Sequence, residues 1–452
     1  MSEQGLQACV AKMEEAGVDK AAIDVFAHNY RALESGASGL IPEDSIAPLL
    51  DPPRLADVPV SAAAGADALG KTVMIKLNGG LGTSMGLDGP KTLLTARDGK
   101  NFLDLIVGQV EYARQAYGVR LPLVLMNSFR TRKPTLEYLE RYPGLAVPGL
   151  ALDFLQNMEP KLLAGDLTPV SWPADPSLEW CPPGHGDLYT ALWGTGLLRT
   201  LLDQGYRYAS VANGDNLGAA PDARLAGWFA ASGAPYAAEV CERTVNDRKG
   251  GHLAVRKSDG QLILRDTAQT PPEDMDYFTD EHRHPFFHCN NLWLDLERVY
   301  QTLAGRGGIL GLPLIRNEKT VDPTDSSSPQ VIQLESAMGA AIEVFPGATA
   351  IAVERDRFLP VKTTNELLLL RSDVFALGED GRLRQQVAEL PEVALDSKYY
   401  KLIDDFEERI PQAPSLLAAE ALRVKGDWTF APGVRIEGVV ELADPGTPSV
   451  YA

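Results

Sequence analysis

The chain is short of cysteine, of positive charge and of long apolar runs, and each shortage excludes something. Its four cysteines, Cys9, Cys181, Cys241 and Cys289, stand far apart with no C-x-x-C pair. They read as reduced, mostly buried thiols, not as a disulfide frame or a zinc site. Lysine and arginine number 42 against 61 aspartate and glutamate, a formal net charge of −19. That balance argues against nucleic acid or an anionic membrane as partner. No apolar run reaches the roughly 18 residues that a membrane helix needs. The opening residues, MSEQGLQACVAKMEE, lack the basic and apolar regions of a signal peptide. A cytoplasmic protein is expected.

What is present is an ordinary globular composition, with 45% hydrophobic and 23% charged residues over 452 positions. A chain of that length is expected to split into about two or three domains. Its most informative stretch is Lys71 to Lys91, KTVMIKLNGGLGTSMGLDGPK. Val73, Met74 and Ile75 read as a strand. After Asn78 come five glycines, Gly79, Gly80, Gly82, Gly86 and Gly89. A strand entering such a loop exposes several backbone N–H groups together, which suits phosphate oxygens. The dinucleotide fingerprint fails, because Met85 stands where its third glycine should be. The P-loop fails too, since Pro90 precedes Lys91. The loop handles phosphate by another pattern.

Around it, Leu6, Val10 and Met13, then Ile23, Phe26 and Tyr30, mark two short amphipathic helices. His28, among apolar neighbours, reads as a packing histidine. Prolines 42, 48, 52, 53 and 59 make residues 35–70 loop-like. Beyond Lys91, helical stripes such as Phe102, Leu105, Ile106 and Val110 alternate with strands at Leu121–Met126, Leu152–Leu155 and Tyr206–Ala212. This βαβ rhythm predicts an α/β protein with a mostly parallel, Rossmann-like mixed sheet. Ligands then belong beyond the carboxyl ends of the strands.

The motifs found there resemble one family. LNGGLGTSMG with GPK, Met126-Asn127-Ser128-Phe129, Gln156 after its strand, PPGHGD at 182–187, NGDNLG at 213–218 and FLPVKT at 358–363 follow the order of the UTP–glucose-1-phosphate uridylyltransferases (UDP-glucose pyrophosphorylases). Ser84 and the Asn290-Asn291-Leu292-Trp293 block are similar to the glucose branch and unlike the N-acetylhexosamine one. The chain departs from the family at His288 and Cys289. His282, His284 and His288 could suggest a metal cluster, but no carboxylate pattern or helical spacing accompanies them.

The resemblance implies roles residue by residue. Nucleotide contacts fall to Leu77, Asn78, Gly79, Gly80, Lys91, Gln156, Gly184, Asp215 and Lys362. Sugar-phosphate contacts fall to Gly79, Gly80, His185, Asn213, Gly251, Asn291 and Glu335. Glu335, in Gln333-Leu334-Glu335, would open a helix running to Ile342. Lys91 and Lys362 would be catalytic. Asp215, set against so much phosphate, would hold Mg2+, a hard cation usually bound by one or two carboxylates plus phosphates.

It also implies a nucleotide-diphospho-sugar transferase domain at 71–375, a small helical lead and linker at 1–70, and a C-terminal domain at 376–452 with a short left-handed β-helix. The implied partners are UTP and glucose 1-phosphate, the products UDP-glucose and pyrophosphate. Galactose 1-phosphate or N-acetylglucosamine 1-phosphate as substrate, or a non-catalytic nucleotide-sugar sensor, are the alternatives. The apparently short β-helix leads to the expectation of a monomer or weak homo-oligomer.

Overall fold

The structure, a computed structural model, describes residues 2–36, 39–244, 247 and 250–452. At its centre lies the strand Thr72–Asn78. Val73 and Ile75 join one apolar core, while Met74 joins another. Its neighbour Leu123–Asn127 divides in the same way, Val124 and Met126 to one face and Leu123 and Leu125 to the other. This two-residue alternation with both faces apolar is what a strand between two helical layers requires.

Among the described residues the large sheet has ten strands and mixed direction. Tyr208–Asn213, Thr72–Asn78, Leu123–Asn127 and Asp153–Leu155 run parallel, side by side. Phe286–Asp295 pairs antiparallel with Tyr208–Asn213, and Tyr236–Glu242 pairs antiparallel with Phe286–Asp295. The register aligns Leu77 with Asn213, Asn78 with Asn127, and Asn127 with Leu155. Four carboxyl ends therefore finish level, and the loops leaving them gather at one edge.

The helix Phe102–Tyr117 covers one face. It starts at a capping box, Asn101 accepting from the Asp104 N–H at 2.8 Å and Asp104 accepting in return from the Asn101 N–H at 3.0 Å. Such reciprocal caps stabilise a helix start by about 1 kcal/mol. On the other face lie Asp187–Gly194 and Leu197–Asp203. The sequence predicts one helix from Leu188 to Leu202. The structure breaks it at Gly196, whose φ of 71° no right-handed helix accommodates.

The N-terminal helices Ser2–Glu15 and Lys20–Glu34 bury Leu6, Met13, Phe26 and Tyr30 against Leu162, Ile332 and Leu334. His28 lies on their exposed side, not in that packing. The C-terminal strands pair in parallel, Glu392–Ala394 with Ser415–Val424, and that strand with Arg435–Leu442. Phe375, Tyr400, Phe406, Leu422 and Ile436 from this region share one apolar core with Ile106 and Leu125 of the sheet layer.

Two elements differ from expectation. Glu335 sits on the strand Gln330–Ser336, which pairs along its length with Leu314–Thr320, and only a 3-10 turn follows at Met338–Glu343. The predicted helix opening there is replaced by tertiary pairing, which overrides local preference. A helix at Ala62–Gly70 lies where the prolines suggested loop. It crosses Ala223–Ser232 at a glycine contact, where a side chain at Gly65 would meet the Ala223 carbonyl oxygen at 2.7 Å.

That crossing yields a prediction with a contested sign. Alanine favours a helix over glycine by about 1 kcal/mol, whereas overpacking costs about 1–3 kcal/mol. Because the clash is with backbone, Gly65→Ala is expected to destabilise the fold. A urea midpoint at or above wild type would contradict this.

Candidate active site

The gathered strand ends enclose a cleft of about 320 Å3. Leu77, Asn78, Gly79, Gly80, Lys91, Gln156, Gly184, His185, Asn213 and Asp215, all named from sequence, line it. Thr92, Met126, Pro182 and Gly214 line it as well and were not singled out. Thr92 and Gly214 adjoin named residues, and Met126 and Pro182 fall inside the quoted motifs, so nearness to a motif was the available signal.

A chain of polar side chains fastens the strand ends to one another. Asn78 Nδ2 donates to Asn127 Oδ1 at 2.7 Å and to Thr135 Oγ1 at 2.9 Å, while Asn78 Oδ1 accepts from Thr92 Oγ1 at 2.5 Å. Asn127 Nδ2 donates in turn to Asp153 at 3.1 Å. The Asn78 side chain is thereby occupied, and Asn78 meets the cleft as a positioned loop start. The loop returns where Leu81 bridges Pro90, with the Lys91 N–H on the Gly80 carbonyl at 3.3 Å.

Lys91 Nζ, delivered by that return, donates to Asp215 Oδ2 at 2.7 Å. The two side chains are 17% and 20% exposed, so the pair sits at the cleft wall with a part of each group open. Two ammonium N–H bonds and the second carboxylate oxygen remain for a ligand. In a protein with a charge of −19, this is how a fixed cation is brought to the site.

Gln156 reaches the cleft from the end of Asp153–Leu155. Its Nε2 donates to the Gly184 carbonyl at 2.9 Å, which fixes the orientation of the amide. Oε1 then faces the glycine loop, 2.7 Å from where a side chain at Gly79 would begin. Gly184 has φ 79°, and a Cβ there would meet Ser336 backbone at 2.6 Å. Only glycine fits.

His185 is open to the cleft, and its Nδ1 accepts from the Met338 N–H at 2.9 Å. The proton of the neutral ring must then be on Nε2, making His185 a hydrogen-bond donor. Although the ring faces open space, the protein packed around it draws its pKa below the usual imidazole value.

Four named residues are not in the lining. Lys362 is exposed, two positions past Pro360, which bridges to Asn216 beside Asp215. Glu335 lies against Gly184, and 3.8 Å from Lys319. Gly251 packs under Leu264 and Arg265, and its neighbours Arg248 and Lys249 lie outside the described residues, as does the Ser84 side chain. Asn291 also lies outside the lining, its amide buried and engaged within the protein. It donates to Glu239 at 3.1 Å and to the Arg357 carbonyl at 3.1 Å, and accepts from Asn216 at 3.0 Å. Asn290, at φ 56°, turns the other way and donates to Asn213 Oδ1 at 3.4 Å. His282, His284 and His288 do not converge. His284 meets Glu43 at 3.2 Å, and burial pushes His288 down to about 3.

A profile of the UTP–glucose-1-phosphate uridylyltransferase family matches residues 25–437. The chain is 39% identical over 376 residues to the enzyme of that name from Saccharomyces cerevisiae, covering 82% of this chain and 74% of the yeast one. With the Hordeum vulgare enzyme it shares 37% over 409 residues, 89% and 82% of the two chains. In structure it is similar to a Leishmania major UDP-glucose pyrophosphorylase variant solved with UDP-glucose, with 43% identity, a TM-score of 0.92 and 99% and 96% coverage. The Trypanosoma brucei enzyme gives 41% identity and a TM-score of 0.89, covering 99% and 97%.

Behind His185, burial pushes the Asp187 carboxyl up from 3.8 to about 7, despite hydrogen bonds from Asn157 at 2.6 and 2.9 Å. A raised folded pKa means the native state holds the extra proton between those values, so stability falls as pH rises from 4 to 7. Buried Glu159 is pushed the same way. Asp187→Asn is expected to flatten this slope in part, as read from denaturation midpoints at pH 4.5 and 7. An unchanged slope would contradict the assignment.

Proposed function

This chain belongs to the UTP–glucose-1-phosphate uridylyltransferase family, and from that premise we propose that it joins UTP and glucose 1-phosphate into UDP-glucose, releasing pyrophosphate. The observation that carries the reading is the Lys91–Asp215 pair, 2.7 Å apart in a cleft whose wall also presents four glycines, the Asn78, Gln156 and Asn213 amides and His185. A phosphate oxygen of the sugar phosphate attacks the α-phosphorus of UTP. The new P–O bond forms as the bond to the bridging oxygen breaks, and pyrophosphate leaves with its electron pair. The nucleophile is already anionic, so the site needs positioning and charge neutralisation, not a general base.

His185 suits that demand, since its Nε2–H donates to a phosphate or sugar oxygen while Met338 holds the tautomer. Lys91 turns its two remaining N–H bonds to the phosphates. Lys362 approaches from the exposed segment beyond Pro360. Gln156 Oε1 accepts from N3–H of uracil, a position where cytosine has no proton. Asn213 and Asn290 serve the sugar. The donor set at Asp215 fits Mg2+: one oxygen of its carboxylate meets Lys91 and the other remains open, and a hard cation held by a single carboxylate would take its other ligands from phosphate and water. Bound there, Mg2+ supplies charge neutralisation at the phosphates.

The expected outcome is a loss in turnover with the fold intact. Charge-stabilising donors are worth about 10²-fold or more in kcat, so Lys91→Ala and Lys362→Ala should each fall by that much. Lys362 is exposed, so its variant should keep the wild-type circular dichroism spectrum. A folded Lys362→Ala that turns over at the wild-type rate removes Lys362 from the transition-state site.

A further inference from the structure

Beneath the cleft, the turn that carries Asp215 presents five successive carbonyl groups to the protein interior, and each is taken by a donor from another element. Lys76 Nζ donates to Asn216 O at 3.3 Å and to Ala219 O at 2.9 Å. Gln109 Nε2 donates to Leu217 O at 3.0 Å. Arg357 Nη1 donates to Gly218 O at 3.3 Å and to Ala220 O at 2.7 Å. The Asn216 side chain accepts from the N–H groups of Leu359 and Gly218, at 2.8 and 3.1 Å. The turn therefore has little freedom to move without breaking a buried bond.

Lys76 is the unexpected member. It lies in the centre of the sheet among apolar residues and is fully buried. Burial first, then the neighbouring Arg357, draws its pKa down to about 7, against the pull of Glu239 and Asp215. Lysine is almost never fully buried without a partner. Among the described residues no carboxylate lies within ion-pair distance of it, and its side-chain nitrogen bonds to two main-chain carbonyls.

We propose that Lys76 is a positioning residue for the reaction, its buried ammonium holding the Asn216–Ala219 backbone so that Asp215 stays set against Lys91. It touches no substrate, and acts through the two carbonyls it binds. This rests on the reading of Asp215 as the metal carboxylate. An apolar side chain of the same length takes the Lys76 donor from both carbonyls, leaving Asn216 O with the long 3.4 Å bond from the Ala219 N–H, and the turn becomes freer to open. Supporting groups of this kind typically affect metal affinity or activity by about 10–100-fold.

The test is Lys76→Met in the full chain, with Lys76→Gln, which keeps a donor, and Asp215→Ala alongside. In the metal-free, ligand-free protein, hydrogen exchange at amides 213–220 is expected to quicken about 10-fold in Lys76→Met, with the neighbouring strands unchanged. The Mg2+ concentration for half-maximal rate should rise about 10-fold or more, KM for glucose 1-phosphate staying close to wild type. Lys76→Gln should recover part of both effects. A folded Lys76→Met with wild-type exchange and Mg2+ dependence overturns the proposal. Failure of both Lys76 variants to fold also overturns it, by making Lys76 a stability residue. If Asp215→Ala leaves Mg2+ dependence unchanged, the fault lies with the metal reading. If Asp215→Ala shifts it and folded Lys76→Met does not, only the positioning inference falls.

Discussion

The ion pair between Arg357 and Glu239 joins the central sheet to the segment that crosses behind the cleft. Arg357 Nη2 and Nε reach the two carboxylate oxygens at 2.7 and 3.0 Å, and both residues are buried. Glu239 also accepts from Trp293 Nε1 at 3.0 Å and from Asn291 Nδ2 at 3.1 Å, so its lone pairs are filled. Isolated, either charge would be costly at this depth, and removing one partner of such a pair typically costs about 3–5 kcal/mol. Satisfied on every side, the pair becomes a rigid anchor. From it run the Asn213–Ala220 turn on one side and the Pro360–Lys362 segment on the other.

This anchor resolves a conflict set by charge. Two polyanions must meet in a chain whose formal charge is −19. The chain does not answer with a broad basic surface. It brings a single cation, Lys91, to a fixed point at the return of the glycine loop, and we propose that Lys362 joins it from the segment tied to Asn216. Amides do the remaining work of alignment, the Asn78–Asn127–Asp153 chain tying two strand ends to each other and to the start of a third strand. Preorganised donors of this kind matter most where charge moves during the reaction.

Much of this was legible in the sequence because the chemistry sits at strand ends. A short apolar run followed by glycine, asparagine or aspartate announces a strand and its loop, and the family resemblance of the motifs on such loops is what named Gly80, Gln156, His185 and Asp215 in advance. Side-chain direction was less legible. Asn290 and Asn291 are the same residue type, and the positive φ at Asn290, near a register shift in the paired strand between Ala238 and Val240, sets them apart: Asn290 bonds to Asn213 and Asn291 to Glu239. Glu335 was misplaced because small residues after it suit a helix, whereas pairing with Leu314–Thr320 makes it strand. Lys76 left a signal that was passed over, a lysine inside VMIKLN where both neighbours are apolar.

The most direct measurement of the account is pyrophosphate release by the purified protein, with UTP, CTP, ATP and GTP each crossed against glucose, galactose and N-acetylglucosamine 1-phosphates in the presence of Mg2+. The account predicts release with UTP and glucose 1-phosphate well above every other pair, and loss of that release on chelation of the metal. Equal use of ATP or GTP, or no release with UTP and glucose 1-phosphate, would contradict it.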